Sequence, residues 1–453
     1  MDNHDYEYAS RAERYRRILR SSTLLYAHAS DFMRPDGGAP AIHYVLAPLM
    51  AEFMRWLLLC AVQSGKRRLY FLARDGYLMK RVAEIFCQQF HLPVECRYLS
   101  CSRFALRLPL FHTDHEWALN VICSGSGTTP EQVLARAGLT AEERQAVLDR
   151  LALPYRPDQP LTDTALALFH DMLGKCIPFL DRMDHRSATA LPTLLGYLKQ
   201  EGLTDGVADA IVDSGWVGTI QDCLTRACVL AGRAQPLEGY YFGLYSLPPR
   251  ANRDRCHCYY FTPEGEIRRK VHFSSSLFEA VFTAPHGMTI GYRETNGLYT
   301  PLYAPVTDPA AEHFHAIAGP VLAYARRMAA HTPPAAFLNP DFVSNRTVLA
   351  KLIHLFMCMP TRGEAEFFGS IPFSSEAADT GSQVLAARLT PQELRAWRLI
   401  RRCTGAPARE SAWYAGSAVL YGTNRLRDIT GYTRYQYARH LRNTYLYRKE
   451  HKP

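Results

Sequence analysis

Apolar and polar positions along this chain follow a repeating order: a short apolar run, a polar glycine-bearing turn, then a helical periodicity. Leu69-Tyr70-Phe71-Leu72 is such a run, and it breaks off at Ala73-Arg74-Asp75-Gly76. From Tyr77 to Phe90 the apolar positions Leu78, Val82, Ile85 and Phe86 recur at helical spacing. His91-Leu92-Pro93 ends that helix, and Val94 to Ser100 reads as a second strand closed by Ser100-Cys101-Ser102-Arg103. A strand–helix–strand unit of this kind builds a parallel sheet. The order returns at Val207 to Val212, which runs into a polar loop from Asp213 to Gly218 and a helix through Ile220, Cys223, Leu224 and Ala227. Leu237 to Leu244 reads as a further strand.

The remaining pattern is helical. Residues 6–24, rich in Arg, Glu and Tyr, read as a surface helix, and Arg34-Pro35-Asp36-Gly37-Gly38 reads as a turn. An apolar helix is expected from Ile42 to Gln63, stopped by Ser64-Gly65. Between residues 114 and 204 the spacing is helical throughout. Thr129-Pro130-Glu131-Gln132 and Thr140 with Glu143 supply capping signals, and Ala165–Leu180 and Leu191–Leu198 read as two further helices. From residue 308 the chain is mainly helical, with an apolar stretch from Thr347 to Met359 and a helix start at Thr390-Pro391-Gln392-Glu393. These elements predict an α/β fold: a largely parallel sheet with a helical insertion and a mainly helical C-terminal region. The expected divisions are an N-terminal helical arm (1–40), an α/β core (41–300) carrying the insertion (about 114–204), and a helical region with a basic tail (301–453).

Composition narrows the picture. With 453 residues, 47% hydrophobic and 21% charged, the chain has the makings of a large packed core. A formal net charge of +9 suits an anionic ligand, a nucleic acid or a membrane surface without choosing among them. Cys60, Cys87, Cys223, Cys228 and Cys358 lie in apolar segments and read as buried, reduced thiols of a cytosolic protein. Cys256-His257-Cys258 lacks a second pair at zinc spacing, so no metal site is expected there. Met1 to Arg20 carries no secretory signal, and Tyr44 to Val62 holds Glu52 and Arg55, which a membrane span tolerates poorly. The expectation is a cytoplasmic protein without a transmembrane segment, with a membrane-peripheral position as the alternative.

The chemistry is expected at the two strand ends. Arg74 offers a bidentate contact to phosphate, Gly76 a close backbone approach before a helix N-terminus, and Asp75 a carboxylate. The competing reading of Asp75 is a helix cap paired with Arg74. In the second loop Gly215 and Gly218 loosen the turn, and the backbone with Ser214 and Thr219 would cradle an anion. Asp213 is placed to bind a sugar hydroxyl or a Mg²⁺ ion carried by the phosphate, and Trp216 either stacks on a ring or anchors the loop. Arg103 adds a cation. Glu279 and His286 are the acid–base candidates, whereas His272 reads as structural and the His112/His115 and His313/His315 pairs as surface features. A Walker loop, a nucleophile elbow and a His-Glu-x-x-His helix are all missing. The Arg- and Tyr-rich tail from Arg425 to Lys452 reads as a solvated basic helix in preference to a nucleic-acid contact.

Phe71-Leu72-Ala73-Arg74-Asp75-Gly76-Tyr77 and Val212-Asp213-Ser214-Gly215-Trp216-Val217-Gly218-Thr219 resemble hallmark stretches of large bacterial proteins described as predicted hydrolases of the haloacid dehalogenase (HAD) superfamily. Glu279 with Phe282-Thr283-Ala284-Pro285-His286-Gly287, Pro360-Thr361, and Trp413-Tyr414-Ala415-Gly416-Ser417 carry the same resemblance. It implies surface-polysaccharide synthesis as the setting. It also implies a glycosyltransferase or a separate HAD phosphatase as a partner, because the Asp-x-Asp nucleophile motif of the HAD domain is absent from this sequence. More loosely, the two loops resemble those of phosphoribosyltransferases, where one binds pyrophosphate and the other the ribose phosphate. The expected function is therefore group transfer on a phosphorylated or nucleotide-activated sugar. The alternative is a HAD-associated hydrolase, or a non-catalytic module that binds a partner or a glycan precursor.

Overall fold

Five parallel strands lie in the order β2-β1-β3-β4-β5: β1 (Arg68–Leu72), β2 (Glu95–Leu99), β3 (Asp209–Trp216), β4 (Gly239–Leu244) and β5 (Cys256–Phe261). The structure is a computed structural model and describes residues 3–29, 39–125, 127–152, 154–248, 251–306, 308–373, 383–398, 401, 409 and 411–450. The turn expected at Arg34–Gly38 lies outside the described residues.

Strand residues alternate between two covered faces. Leu69, Phe71, Ala210, Val212, Tyr240 and Phe242 join one apolar cluster with α3 (Ala47–Gln63), α4 (Gly76–Gln89) and the later helices α14 (Asp308–His331) and α16 (Phe342–Ile353). Tyr70, Leu72, Leu99 and Ile211 join another with α10 (Ile177–Gln200) and α11 (Thr219–Leu230). Burial on both faces is why these strands read as continuous apolar runs and not as alternating ones.

Before the sheet come α1 (Asn3–Leu19) and α2 (Thr23–Ala29). Residues 6–24 were expected to form a surface helix, but Arg11, Tyr15 and Leu19 on α1 are buried. The short α5 (Arg103–Arg107) leads into the insertion: α6 (His115–Ile122), α7 (Pro130–Arg136), α8 (Ala141–Leu151), α9 (Asp163–Gly174) and α10. Phe111, Ile122, Leu134 and Phe169 give this insertion an apolar core of its own. The capping boxes at Thr129/Gln132 and Thr140/Glu143 both form. Beyond β5 lie α12 (Ile267–Val271), α13 (Ser275–Phe282) and an antiparallel hairpin of β6 (Thr289–Thr295) and β7 (Leu298–Tyr303). After α14 come α15 (Pro334–Phe337), α16, α17 (Arg362–Gly369), α18 (Pro391–Ala396), α19 (Tyr414–Tyr421) and α20 (Arg425–Glu450).

Three expectations change. The polar residues Asp213 to Trp216 belong to β3 and not to a loop, because β4 keeps pairing with them. The stretch expected to hold two helices, one ending at Leu180 and one at Leu191–Leu198, holds α9 and then a continuous α10 that accommodates Pro192 in its interior. The hairpin of β6 and β7 was not anticipated, although Asn296-Gly297, both at positive φ, is a strong hairpin-turn signal. Ile42–Gln63 is the one stretch among the described residues long and apolar enough to cross a membrane, and it is mostly buried inside the protein. Glu52 and Arg55 within it form a buried ion pair at 2.7 Å.

Candidate functional site

The strand order reverses between β1 and β3, since the chain passes from β1 outward to β2 and from β3 outward to β4. A parallel sheet opens a crevice at the carboxyl ends of its strands where the order reverses. Here the opening is visible in the register. Pairing of β1 with β3 stops at Phe71 and Val212, whereas β3 stays paired to β4 as far as Trp216 and Leu244. Asp213 through Trp216 therefore present an unpaired edge on the β1 side, where the turn of Ala73, Arg74 and Asp75 departs.

A cavity of about 480 Å³ occupies this crevice. Arg74, Asp75, Arg103, Asp213, Ser214 and Glu279 all line it, so residues far apart in sequence meet as expected. Asp75 and Asp213 are each only 8% exposed. The Asp75 side chain caps no helix; its Oδ2 accepts the Ser214 hydroxyl in a short hydrogen bond. This excludes the reading of Asp75 as a simple cap and joins the two motifs directly.

Burial raises all three carboxyls. Asp213 is pushed up to about 8, first by burial and then by the neighbouring Asp75 and Glu279 carboxylates, against the opposing amides of Ser214 and Gly215. Glu279, on α13, is pushed to about 7 by burial and by Asp75, while Trp216, Arg103 and Arg74 pull the other way. Asp75 is raised by burial, an effect reduced by Ser214 and Arg74. Acidic groups shifted toward neutrality inside a cleft can exchange protons near neutral pH.

Trp216 lines the cavity and is anchored in the core behind it. Its indole packs against Tyr245, Phe273 and Phe278, and its Nε1–H donates to Glu279 Oε1 at 2.5 Å. The residue holds φ +81°, a strained value for a non-glycine, so packing and the hydrogen bond together fix it. Gly215 lines the cavity at φ +113°, and a Cβ there would sit 2.3 Å from the Gly243 carbonyl oxygen. Thr219 also lines the cavity, as the first residue of α11.

Three expected site residues are not among the lining. Gly76 lies against β1, where a Cβ would meet the Phe71 carbonyl carbon at 2.7 Å, so its lack of a side chain lets α4 approach the strand. Gly218 takes φ +69° to begin α11 beside Leu247. His286 has both ring nitrogens engaged: Nδ1–H donates to the Gly287 carbonyl at 2.8 Å, which leaves Nε2 to accept from Tyr98 at 2.7 Å. It is packed on Tyr303 and held below its ordinary pKa by burial.

Arg107 and Arg136 also line the cavity and were not foreseen, because they sit in helices without a motif around them. Four arginines and three carboxyls thus face one space among the described residues. No group of three or more His, Cys, Asp or Glu side chains among the described residues is arranged to hold a metal ion.

Fold and site together define an α/β protein with a charged ligand cavity at its strand-order reversal. No family model matches the chain, and no curated protein matches its sequence.

Proposed function

We propose that this chain is a cytoplasmic enzyme of bacterial surface-polysaccharide synthesis that transfers a group at the phosphate-bearing carbon of a phosphorylated or nucleotide-activated sugar. The observation that carries this reading is the meeting of Asp75, Asp213 and Glu279 with Arg74 and Arg103 in one cavity. Guanidinium groups suit the phosphates, and carboxyls near neutrality suit the proton transfers. Asp213, protonated at neutral pH, donates to the departing phosphate oxygen as the carbon–oxygen bond breaks. Glu279 keeps one oxygen on Trp216 and takes the acceptor hydroxyl proton with the other as the new bond forms. Asp75, tied to Ser214, orients the sugar hydroxyls. The resemblance of these motifs to those of polysaccharide-associated HAD proteins supports the biological setting, and a glycosyltransferase or a separate HAD phosphatase is the partner that fits it.

The test is a calorimetric panel of sugar phosphates and nucleotide sugars on the purified full chain, with and without Mg²⁺, joined to product detection by mass spectrometry. Asp213→Asn is expected to lower turnover about a hundredfold without lowering the melting temperature. Binding without turnover by the wild type would replace the enzyme with a ligand-presenting module. No binding to any member of the panel would overturn the reading.

A further inference from the structure

The cavity has two walls of different chemistry. The sheet ends and α13 contribute Arg74, Asp75, Asp213 and Glu279. The insertion and α5 contribute Phe104, Val121 and Ile122, with Arg107 and Arg136 among them and Arg103 at the edge nearest the sheet turn. A sugar phosphate is satisfied by the first wall alone, and it gives an aromatic and aliphatic surface nothing to do. A cavity of about 480 Å³ also falls in the range of sites that enclose ligands of drug-like size, well beyond a single phosphate.

The second wall is built and not incidental. Arg136 Nη1 donates to the carbonyls of Ile122 at 3.0 Å and Ser124 at 2.7 Å, so α7 holds the C-terminal end of α6 at the cavity. Ile122 is also part of the insertion's own apolar core, which fixes the wall from behind. Apolar side chains interspersed with planar guanidinium groups suit a flat heterocycle, whose faces are apolar and whose edges carry hydrogen-bond acceptors. A lipid tail would be poorly served by two arginines.

Resting on the functional reading above, we infer that α5 and the helical insertion together form a base-recognition wall and that the substrate is a nucleoside diphosphate sugar, its diphosphate on Arg74 and Arg103 and its base against Phe104 and Val121. That wall then selects the substrate, while the sheet ends carry out the chemistry.

The experiment compares inorganic pyrophosphate, glucose 1-phosphate and the nucleoside diphosphates UDP, GDP and CDP by calorimetry on the full chain. At least one nucleoside diphosphate is expected to bind about tenfold or more tightly than pyrophosphate, the gain a stacked base provides. Phe104→Ala removes the proposed stacking face, and Val121→Phe fills the space beside it. Each is expected to cut nucleoside diphosphate affinity about tenfold while moving pyrophosphate affinity less than about twofold. Circular dichroism melting confirms that each variant is folded, and having one truncation and one filling variant guards against loss of either. Equal affinity for pyrophosphate and every nucleoside diphosphate, or equal loss for both ligand types in the variants, would overturn this inference while leaving the phosphate site standing. Absence of binding by every probe would overturn the functional reading and this inference together.

Discussion

At the scale of single residues, the site is an arrangement of acids that oppose one another. Asp213 rises to about 8 and Glu279 to about 7 because burial and mutual repulsion both disfavour charge. If Asp213 acts protonated and Glu279 ionised, kcat/KM should fall below about pH 7 as Glu279 gains its proton and above about pH 8 as Asp213 loses its own. A pH–rate profile on whichever substrate the binding panel identifies checks this, and a rate flat from pH 6 to 9 would remove both residues from those roles. The same shift has a stability consequence. Asp213 holds its proton more tightly folded than unfolded, so its contribution is fully present below the ordinary carboxylate value. Stability is then lost as pH rises towards about 8, by about 1.4 kcal/mol per pH unit at most. Asp213→Asn should therefore stabilise the protein progressively from pH 5 to pH 8, read as the difference in melting temperature between variant and wild type. A residue kept for structure would show the opposite.

At the scale of elements, β1 to β4 and most helices are legible because their apolar periods are strong, whereas β5 and the hairpin of β6 and β7 are not, and the meeting of the two motifs follows from strands whose order reverses between them. The end of β3 was not legible. Asp213, Ser214 and Gly215 look like loop residues, yet β3 stays paired to β4 through Asp213, Gly215 and Trp216 after its pairing with β1 has ended, which leaves this segment along the crevice. Gly76 and Gly218 show a related ambiguity: glycine near a phosphate and glycine at a tight packing contact are the same letter, and both sit at tight contacts. Gly215 provides a direct measure of such a contact. Gly215→Ala meets both a left-handed backbone and the Gly243 carbonyl, whereas Gly297→Ala, at φ +79° in the hairpin turn, meets open space. The hairpin variant should cost about 1 kcal/mol and Gly215→Ala at least about 2 kcal/mol more, read from denaturant midpoints. Equal costs would mean that β3 can move away from β4 without penalty.

At the scale of the whole molecule, the expected arm, core and helical region share one apolar cluster, which runs from Ala12 on α1 through β1 and β3 to Ala415 on α19. A polar lock accompanies it. Arg11 and Glu364, 3% and 1% exposed, pair at 2.8 Å, with Tyr15 donating to the same carboxylate at 2.6 Å and Arg11 also donating to the Leu355 and Met359 carbonyls. Nothing local in the sequence announces a partnership across so many residues; each member alone reads as a solvated charge on a helix. The lock bears on the site because α14 packs on α4, whose first turn follows Asp75, within the cluster that α1 completes. Glu364→Leu leaves a guanidinium buried without a counter-charge, and Arg11→Met leaves a carboxylate so; each should cost about 3–5 kcal/mol. The double variant with Glu364→Leu replaces both charges by apolar groups and should lose much less than the sum of the two. Ligand binding and global unfolding should move together in all three, because the cluster that holds the lock also holds the sheet. If the single variants lose stability additively, or if they melt only the N-terminal helices while the cavity still binds, then α1 is an appendage and the molecule does not fold as one unit.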